Sequence, residues 1–276
     1  MRKNSVKHAL KAGEAVCGSW IMADHHLNVR TMARSGFSYL CLDLEHAAID
    51  WHSASMLWGM IADAGCVPLC RVPDGTMENV KRALDGGAWG IVAPMVDTVE
   101  QARAIVDACY YPPLGRRSVG GGSHYLSFGT SDAEYKARAN EEICCILMCE
   151  SPLGLANLPE IAKIPGVDAI FVGPNDFRSM MTRSLPGGRK PTVQEFEDAM
   201  AEVVAVGAKA GTPVGIHTFS PEECKARIAQ GFRFMAMSSD IGILGAAAGS
   251  LVEQIGLPRQ STSSGAAGVV GGVAKY

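Results

Sequence analysis

Eight short apolar runs, each followed by a segment of helical or loop character, dominate this chain. The runs are Ala15 to Met22, Tyr39 to Leu44, Val67 to Val72, Gly90 to Ala93, Ile143 to Met148, Ala169 to Val172, Pro213 to His217 and Phe234 to Ser238. Among the intervening segments, Asn79 to Asp85, Val99 to Ala108, Leu158 to Ile164, Thr192 to Ala210, Pro221 to Ala229 and Leu244 to Ile255 place apolar residues at helical spacing. Strand, helix, strand in regular succession argues for a parallel sheet. Eight rounds argue for closure, so the fold class expected is α/β, a (β/α)8 barrel. The 276 residues agree with the roughly 250 usual for that fold. An open doubly wound sheet would carry a glycine fingerprint after its first strand, and Ala15-Val-Cys-Gly-Ser-Trp-Ile-Met22 has none.

Two segments break the rhythm. Tyr110 to Glu142, with Pro112-Pro-Leu-Gly-Arg-Arg-Ser-Val-Gly-Gly-Gly-Ser-His124, is too long for an ordinary connection and is expected to form a lid or a subunit contact on the barrel rim. Ser179 to Pro191 reads as a mobile surface loop. The barrel is expected to occupy residues 1–256, followed by a poorly ordered tail rich in Gly, Ser and Ala over 257–276.

With 25 basic against 28 acidic residues, nothing announces a nucleic-acid or membrane partner. No apolar run approaches the ~18 residues of a membrane helix, and the start lacks the apolar segment of a secretory signal. A cytoplasmic enzyme acting on a small molecule is therefore expected. The nine cysteines include Cys41, Cys70, Cys144 and Cys145 inside apolar runs, where a thiol packs as a small hydrophobe. Cys144, Cys145 and Cys149 do not suggest a metal cluster, because consecutive strand residues face opposite sides.

Barrel enzymes build their sites at the C-terminal ends of the strands. There the sequence places Asp43, Glu45 and His46 after the second run, Arg71 after the third, Glu150 after the fifth, Asp176 after the sixth and His217 after the seventh. Glu150 and Asp176, oxygen donors with no Cys or His at zinc spacing, suit Mg²⁺, Mn²⁺ or a similar ion. Arg71 offers planar donors to an oxyanion. His46 beside Asp43 and Glu45 could be held in one tautomer by a carboxylate and move a proton near neutral pH. The backbone amides of Asn175 and Asp176 could receive a substrate carboxylate if a helical turn starts there. Metal, arginine and histidine together describe a site that stabilises an enolate.

These residues, with Lys81-Arg-Ala-Leu-Asp85-Gly-Gly-Ala, Pro94-Met-Val-Asp-Thr-Val-Glu-Gln-Ala, Tyr111-Pro-Pro-Leu-Gly-Arg-Arg117 and Gly173-Pro-Asn-Asp176, make the chain resemble the class II, metal-dependent pyruvate aldolases of the HpcH/HpaI type from about Gly18 to Ile255. The resemblance implies a divalent metal (Mg²⁺, Mn²⁺ or Co²⁺) on Glu150 and Asp176, which pyruvate chelates, and Arg71 steadying the enolate oxygen. It also implies His46 with Asp43 at the 4-hydroxyl proton, Asp85 supporting that network, and Ser123 and Asn175 contributing to substrate binding. The activity implied is cleavage or formation of 4-hydroxy-2-oxo acids, giving pyruvate and an aldehyde. The alternative is an oxaloacetate decarboxylase of the same family that couples the enolate to carbon–carbon bond formation, as macrophomate synthase does. A final helix exchanged between subunits, in a homohexamer built as a trimer of dimers, is part of the same implication. Two departures stand out. Met148 occupies a position where this family usually has Gln, and Ser118 one where it commonly has Gly.

Other chemistries fit less well. A Schiff-base aldolase needs a lysine at a strand end, and these ends carry none. A phosphate site would show glycine-rich turns after the last two strands, where the chain reads His217-Thr-Phe and Ser238-Ser-Asp. A non-catalytic scaffold has no reason to hold Asp43, His46, Arg71, Glu150 and Asp176 together.

Overall fold

The computed structural model describes residues 1–256. The tail expected over 257–276 lies outside them. The strands β1 (Val16–Ile21), β2 (Tyr39–Asp43), β3 (Val67–Arg71), β4 (Gly90–Ala93), β5 (Cys144–Met148), β6 (Ala169–Val172), β7 (Val214–Thr218) and β8 (Phe234–Ser239) pair in parallel in chain order, and β8 returns to β1 to close the barrel. Each expected strand is present with its ends shifted by no more than one residue. β2, β4, β5 and β6 are buried along their whole length, as strands must be when side chains fill the inside and helices cover the outside.

The helices are α1 (Ser5–Lys11), α2 (His26–Met32), α3 (Trp51–Asp63), α4 (Met77–Gly86), α5 (Val99–Cys109), α6 (Ser123–Ser127), α7 (Asp132–Glu142), α8 (Pro152–Ile161), α9 (Pro174–Ser184), α10 (Val193–Ala210), α11 (Pro221–Gln230) and α12 (Asp240–Ile255). Local chemistry sets their starts. Thr98 with Gln101 and Thr192 with Glu195 form reciprocal capping boxes that satisfy first-turn amides of α5 and α10. The helix expected at Leu158 to Ile164 begins earlier, because Ser151 Oγ accepts the amide of Gly154 and Pro152 occupies the first turn. Ser179 to Pro191 is not simply a loop: α9 continues to Ser184, and a 3₁₀ turn follows at Pro186–Gly188.

The long segment from Tyr110 to Glu142 joins the end of α5 to the start of β5. Chain that follows a helix and precedes a strand lies at the N-terminal end of the strands, opposite the rim that carries catalytic groups. It holds α6 and α7 there, so the expectation of a lid over the site is overturned. α1 helps to close the same face. Its buried Lys7 ammonium lies 3.1 Å from Asp168 Oδ2 and donates to the carbonyls of Ile143 and Asn140, while Asn4 donates to the carbonyls of Trp89 and Glu142. Asp168 Oδ2 also accepts from Tyr110 Oη at 2.6 Å and from the Cys145 amide at 2.9 Å.

All nine cysteines are free and eight are buried, as expected of core thiols. Among the described residues no helix is long and apolar enough to cross a membrane. α12 is the exception to good packing: of its residues Asp240 alone is buried, and Leu244, Leu251 and Ile255 are each more than 60% exposed.

Removing one partner of a buried ion pair strands the other charge. Lys7→Ala is therefore expected to lower unfolding stability by about 3 kcal/mol, read as a shifted urea midpoint. An unchanged midpoint would show that α1 does not secure the barrel floor.

Candidate active site

Register places Asp43 at the end of β2 directly beside Arg71 at the end of β3. Arg71 Nε donates to Asp43 Oδ1 at 2.9 Å and Nη2 to Oδ2 at 2.6 Å, a bidentate pair in which Asp43 is fully buried. Nε also lies 3.3 Å from Glu45 Oε2, and the guanidinium sits 4.6 Å from the Trp20 ring centroid. Held on three sides, Arg71 keeps Nη1 without a hydrogen-bond partner among the described residues. That edge is available to an oxygen in the cleft.

Across the rim, Glu150 follows β5 and is 2% exposed. Its Oε2 accepts the Met95 amide at 3.0 Å, from a backbone in the left-handed region (φ 53°) just after β4. Gly173, at the end of β6, leaves room for this carboxylate: a Cβ there would stand 2.2 Å from Glu150 Oε1, so the carboxylate would have to move. Burial is the main reason the Glu150 carboxyl is pushed up to about 7; the Met95 amide opposes the rise, and the charges of Asp176 and Glu45 add to it. Glu45 is likewise raised, first by burial, although Arg71 and His46 oppose it. Asp176 lies in the first turn of α9, whose N-cap, Gly173, contributes no side-chain cap. The amides of that turn are thus left for another acceptor.

These carboxylates fit a hard divalent cation. The donors are oxygens, they repel one another across the cleft, and Glu150 has no ion-pair partner among the described residues. The described residues contain no cluster of three or more His, Cys, Asp or Glu side chains arranged as a metal cage. Glu150 and Asp176 would therefore hold an ion that keeps most of its coordination positions for water or substrate.

The remaining wall comes from β7, β8 and the start of α12. His217 lies beside Trp20, whose indole Nε1 donates to His217 Nδ1 at 3.0 Å. Burial, then the Arg71 charge, lowers the His217 imidazole to about 4. With Phe171, Met148, Ser238 and Asp176, these groups line a cleft of about 1090 Å³.

The structure thus gathers Asp43, Arg71, Glu150, Asn175, Asp176 and His46 around one cleft, but it revises three sequence expectations. Asp43 does not orient the His46 ring: its carboxylate is spent on Arg71, and its Oδ1 accepts the backbone amides of Glu45 and His46. The exposed His46 imidazole instead has Glu45 Oε2 3.7 Å away. Asp85 is absent from the rim. It sits near the C-terminal end of α4, on the opposite face, paired with the buried Arg117 at 2.6 Å. Ser123 opens α6 on that face too, its Oγ 3.3 Å from Ser55 Oγ. Helices run back from the rim, so residues at their far ends cannot share a cleft with strand ends of the same chain. Sequence reasoning gave no role to Trp20, Met95 or Gly173. Gly173 alone had a signal, as the residue opening a Gly-Pro-Asn-Asp turn.

The family model described as HpcH/HpaI aldolase/citrate lyase matches residues 17–247. A hydroxypyruvate/pyruvate aldolase of Deinococcus radiodurans is 38% identical over 251 residues, covering 90% of this chain and 88% of that protein. A 2-dehydro-3,6-dideoxy-6-sulfogluconate aldolase of Pseudomonas putida is 35% identical over 244 residues, covering 88% and 93%. Among solved structures, an HpcH/HpaI aldolase/citrate lyase family protein from Burkholderia cenocepacia superposes with a TM-score of 0.84 at 31% identity, over 92% of this chain and 100% of that one.

The depressed His217 imidazole gives a stability signature. Above about pH 6.5 both folded and unfolded chains hold it neutral. As pH falls, the unfolded chain takes up the proton first, so stability is lost down to about pH 4, where the folded protein also binds it. His217→Gln is expected to remove on the order of 2 kcal/mol of that acid-side loss, measured as urea midpoints at pH 7 and pH 4. Parallel losses in both proteins would contradict the shielded imidazole.

Proposed function

The chain belongs to the HpcH/HpaI aldolase/citrate lyase family, and on that footing we propose that it is a divalent-metal-dependent aldolase that cleaves or forms 4-hydroxy-2-oxo acids through a pyruvate enolate. The observation that carries this reading is Glu150: a buried carboxylate, close to Asp176, without an ion-pair partner among the described residues, beside an arginine with one free edge. A cation bound by Glu150 and Asp176 would supply Lewis-acid polarisation of a 2-oxo acid.

The chain's own residues do the rest. Arg71 Nη1 donates to the keto oxygen as negative charge develops there, and the paired Asp43 keeps the guanidinium from swinging away. The first-turn amides of α9 at Asn175 and Asp176 receive the substrate carboxylate. His46, exposed at the mouth, takes the proton of the 4-hydroxyl. The C3–C4 bond then breaks, the aldehyde leaves, and the enolate gains a proton at C3 by way of solvent as the His46 imidazolium gives its proton up. Glu45 near the ring favours the imidazolium that forms.

α12 suggests how copies assemble. Its exposed Leu244, Leu251 and Ile255 need a cover. The exchange of this helix between subunits, within a hexamer of paired chains, would supply it.

Protein stripped with a chelator is expected to regain pyruvate formation from 4-hydroxy-2-oxo acids with Mg²⁺, Mn²⁺ or Co²⁺, and oxaloacetate loss is followed in parallel. Should oxaloacetate alone be consumed, the decarboxylase alternative takes over; if no metal restores either activity, the reading fails. Glu150→Ala and Asp176→Ala should each abolish turnover with an unchanged circular dichroism spectrum. Arg71→Ala should reduce kcat/KM by a factor corresponding to about 3 kcal/mol, the scale of a lost oxyanion donor; a raised KM at constant kcat would make Arg71 a binding group instead. Truncation after Ile243 is expected to lower the mass seen in sedimentation, and an unchanged mass would return α12 to its own barrel.

A further inference from the structure

The cleft is far larger than a three-carbon keto acid requires. On one side, the ends of β2 and β3 and the segments that follow β5 and β6 present Asp43, Arg71, Glu150 and Asp176. On the other, the apolar side chains of Phe219, Met237 and Ile241 are interspersed with the small polar Ser238 and Ser239. His217 stands among these groups, and its chemistry is set by one neighbour. An indole N–H can only donate, so the bond from Trp20 Nε1 obliges His217 Nδ1 to accept. The neutral ring then carries its proton on Nε2. This nitrogen has no hydrogen-bond partner among the described residues, and it is absent from the buried side-chain atoms left unsatisfied, so it opens to the cleft.

We propose that His217 determines specificity for the aldehyde, its Nε2–H donating to a hydroxyl or carbonyl oxygen on the carbon next to the aldehyde group. The assignment rests on the aldolase reading above. An uncharged donor facing the cleft rewards a neutral oxygen, and it penalises an alkyl group that would leave the N–H unpaired. Trp20 is a positioning residue here, acting through the tautomer it enforces. In the synthetic direction, pyruvate loses a C3 proton to become the enolate, whose C3 carbon bonds to the aldehyde carbon as the C=O π bond opens, and the aldehyde oxygen takes up a proton to become the 4-hydroxyl. His217 holds the adjacent oxygen and exchanges no proton.

Glycolaldehyde and propanal differ by hydroxyl against methyl, so with pyruvate as donor the ratio of their kcat/KM values reads the contact. The wild-type enzyme is expected to favour glycolaldehyde at least tenfold. His217→Leu should lower the ratio at least tenfold, and His217→Gln, which keeps an N–H donor, should retain most of it. Trp20→Phe should fall between them, and it carries the test if the leucine variant does not fold. No preference in the wild type overturns the assignment. So does an unchanged ratio in His217→Leu or Trp20→Phe, or a glutamine variant that falls as far as leucine. Exchange of pyruvate methyl protons with deuterated solvent separates the two readings. A wild-type protein that exchanges none removes the enolate reading, whereas exchange with an unaltered ratio removes the role of His217 alone.

Discussion

A carboxylate withdrawn from water must be answered by a proton or by positive charge, and the rim of this barrel is arranged around that demand at Glu150. The Met95 amide supplies one hydrogen bond, which is too little to hold the charge comfortably, and the neighbouring Asp176 and Glu45 make matters worse. Gly173 accommodates the second carboxylate oxygen, which fills the space where a side chain would begin. The described residues therefore leave unfavourable electrostatics at Glu150, which positive charge placed there would relieve.

The arginine on the facing strands is handled in the opposite way. Arg71 is fully answered on one edge by Asp43, supported by Glu45, and flanked by the Trp20 ring. Its position is thereby fixed while one edge stays open, the condition for stabilising charge that develops during a reaction without reorganisation at that moment. Trp20 links this half of the cleft to the other, because the same indole that flanks Arg71 locks the His217 tautomer. One aromatic residue thus ties the group suited to an oxyanion to the group suited to a neutral oxygen.

The fold also explains the sequence residues that did not reach the site. Asp85 and Ser123 belong to motifs that read as functional, yet both lie on helices at the N-terminal face, Asp85 with Arg117 and Ser123 with Ser55. The order of strand and helix already sets the far end of each helix opposite the rim; what linear spacing does not give is the pairing of Asp85 with Arg117 and of Ser123 with Ser55. His46 is a milder case. Adjacency in sequence suggested that Asp43 would grip its ring, but the backbone turns after β2 so that Asp43 faces Arg71 and caps the amides of residues 45 and 46.

From its sequence alone, this chain determined the barrel, the strand positions, and the carboxylates, arginine and histidine at the strand ends. Hydrophobic period and strand-end chemistry are local properties, and they survive folding unchanged. The tertiary structure decided which of those groups are already paired and which are left open. It also decided that Glu45 is the carboxylate nearest the His46 ring, that Gly173 makes room for Glu150, and that Trp20 sets the proton on His217. The approach of Glu45 to His46 is set by the backbone turn after β2, while the other two depend on residues from different strands being brought together, which strand register and barrel closure fix.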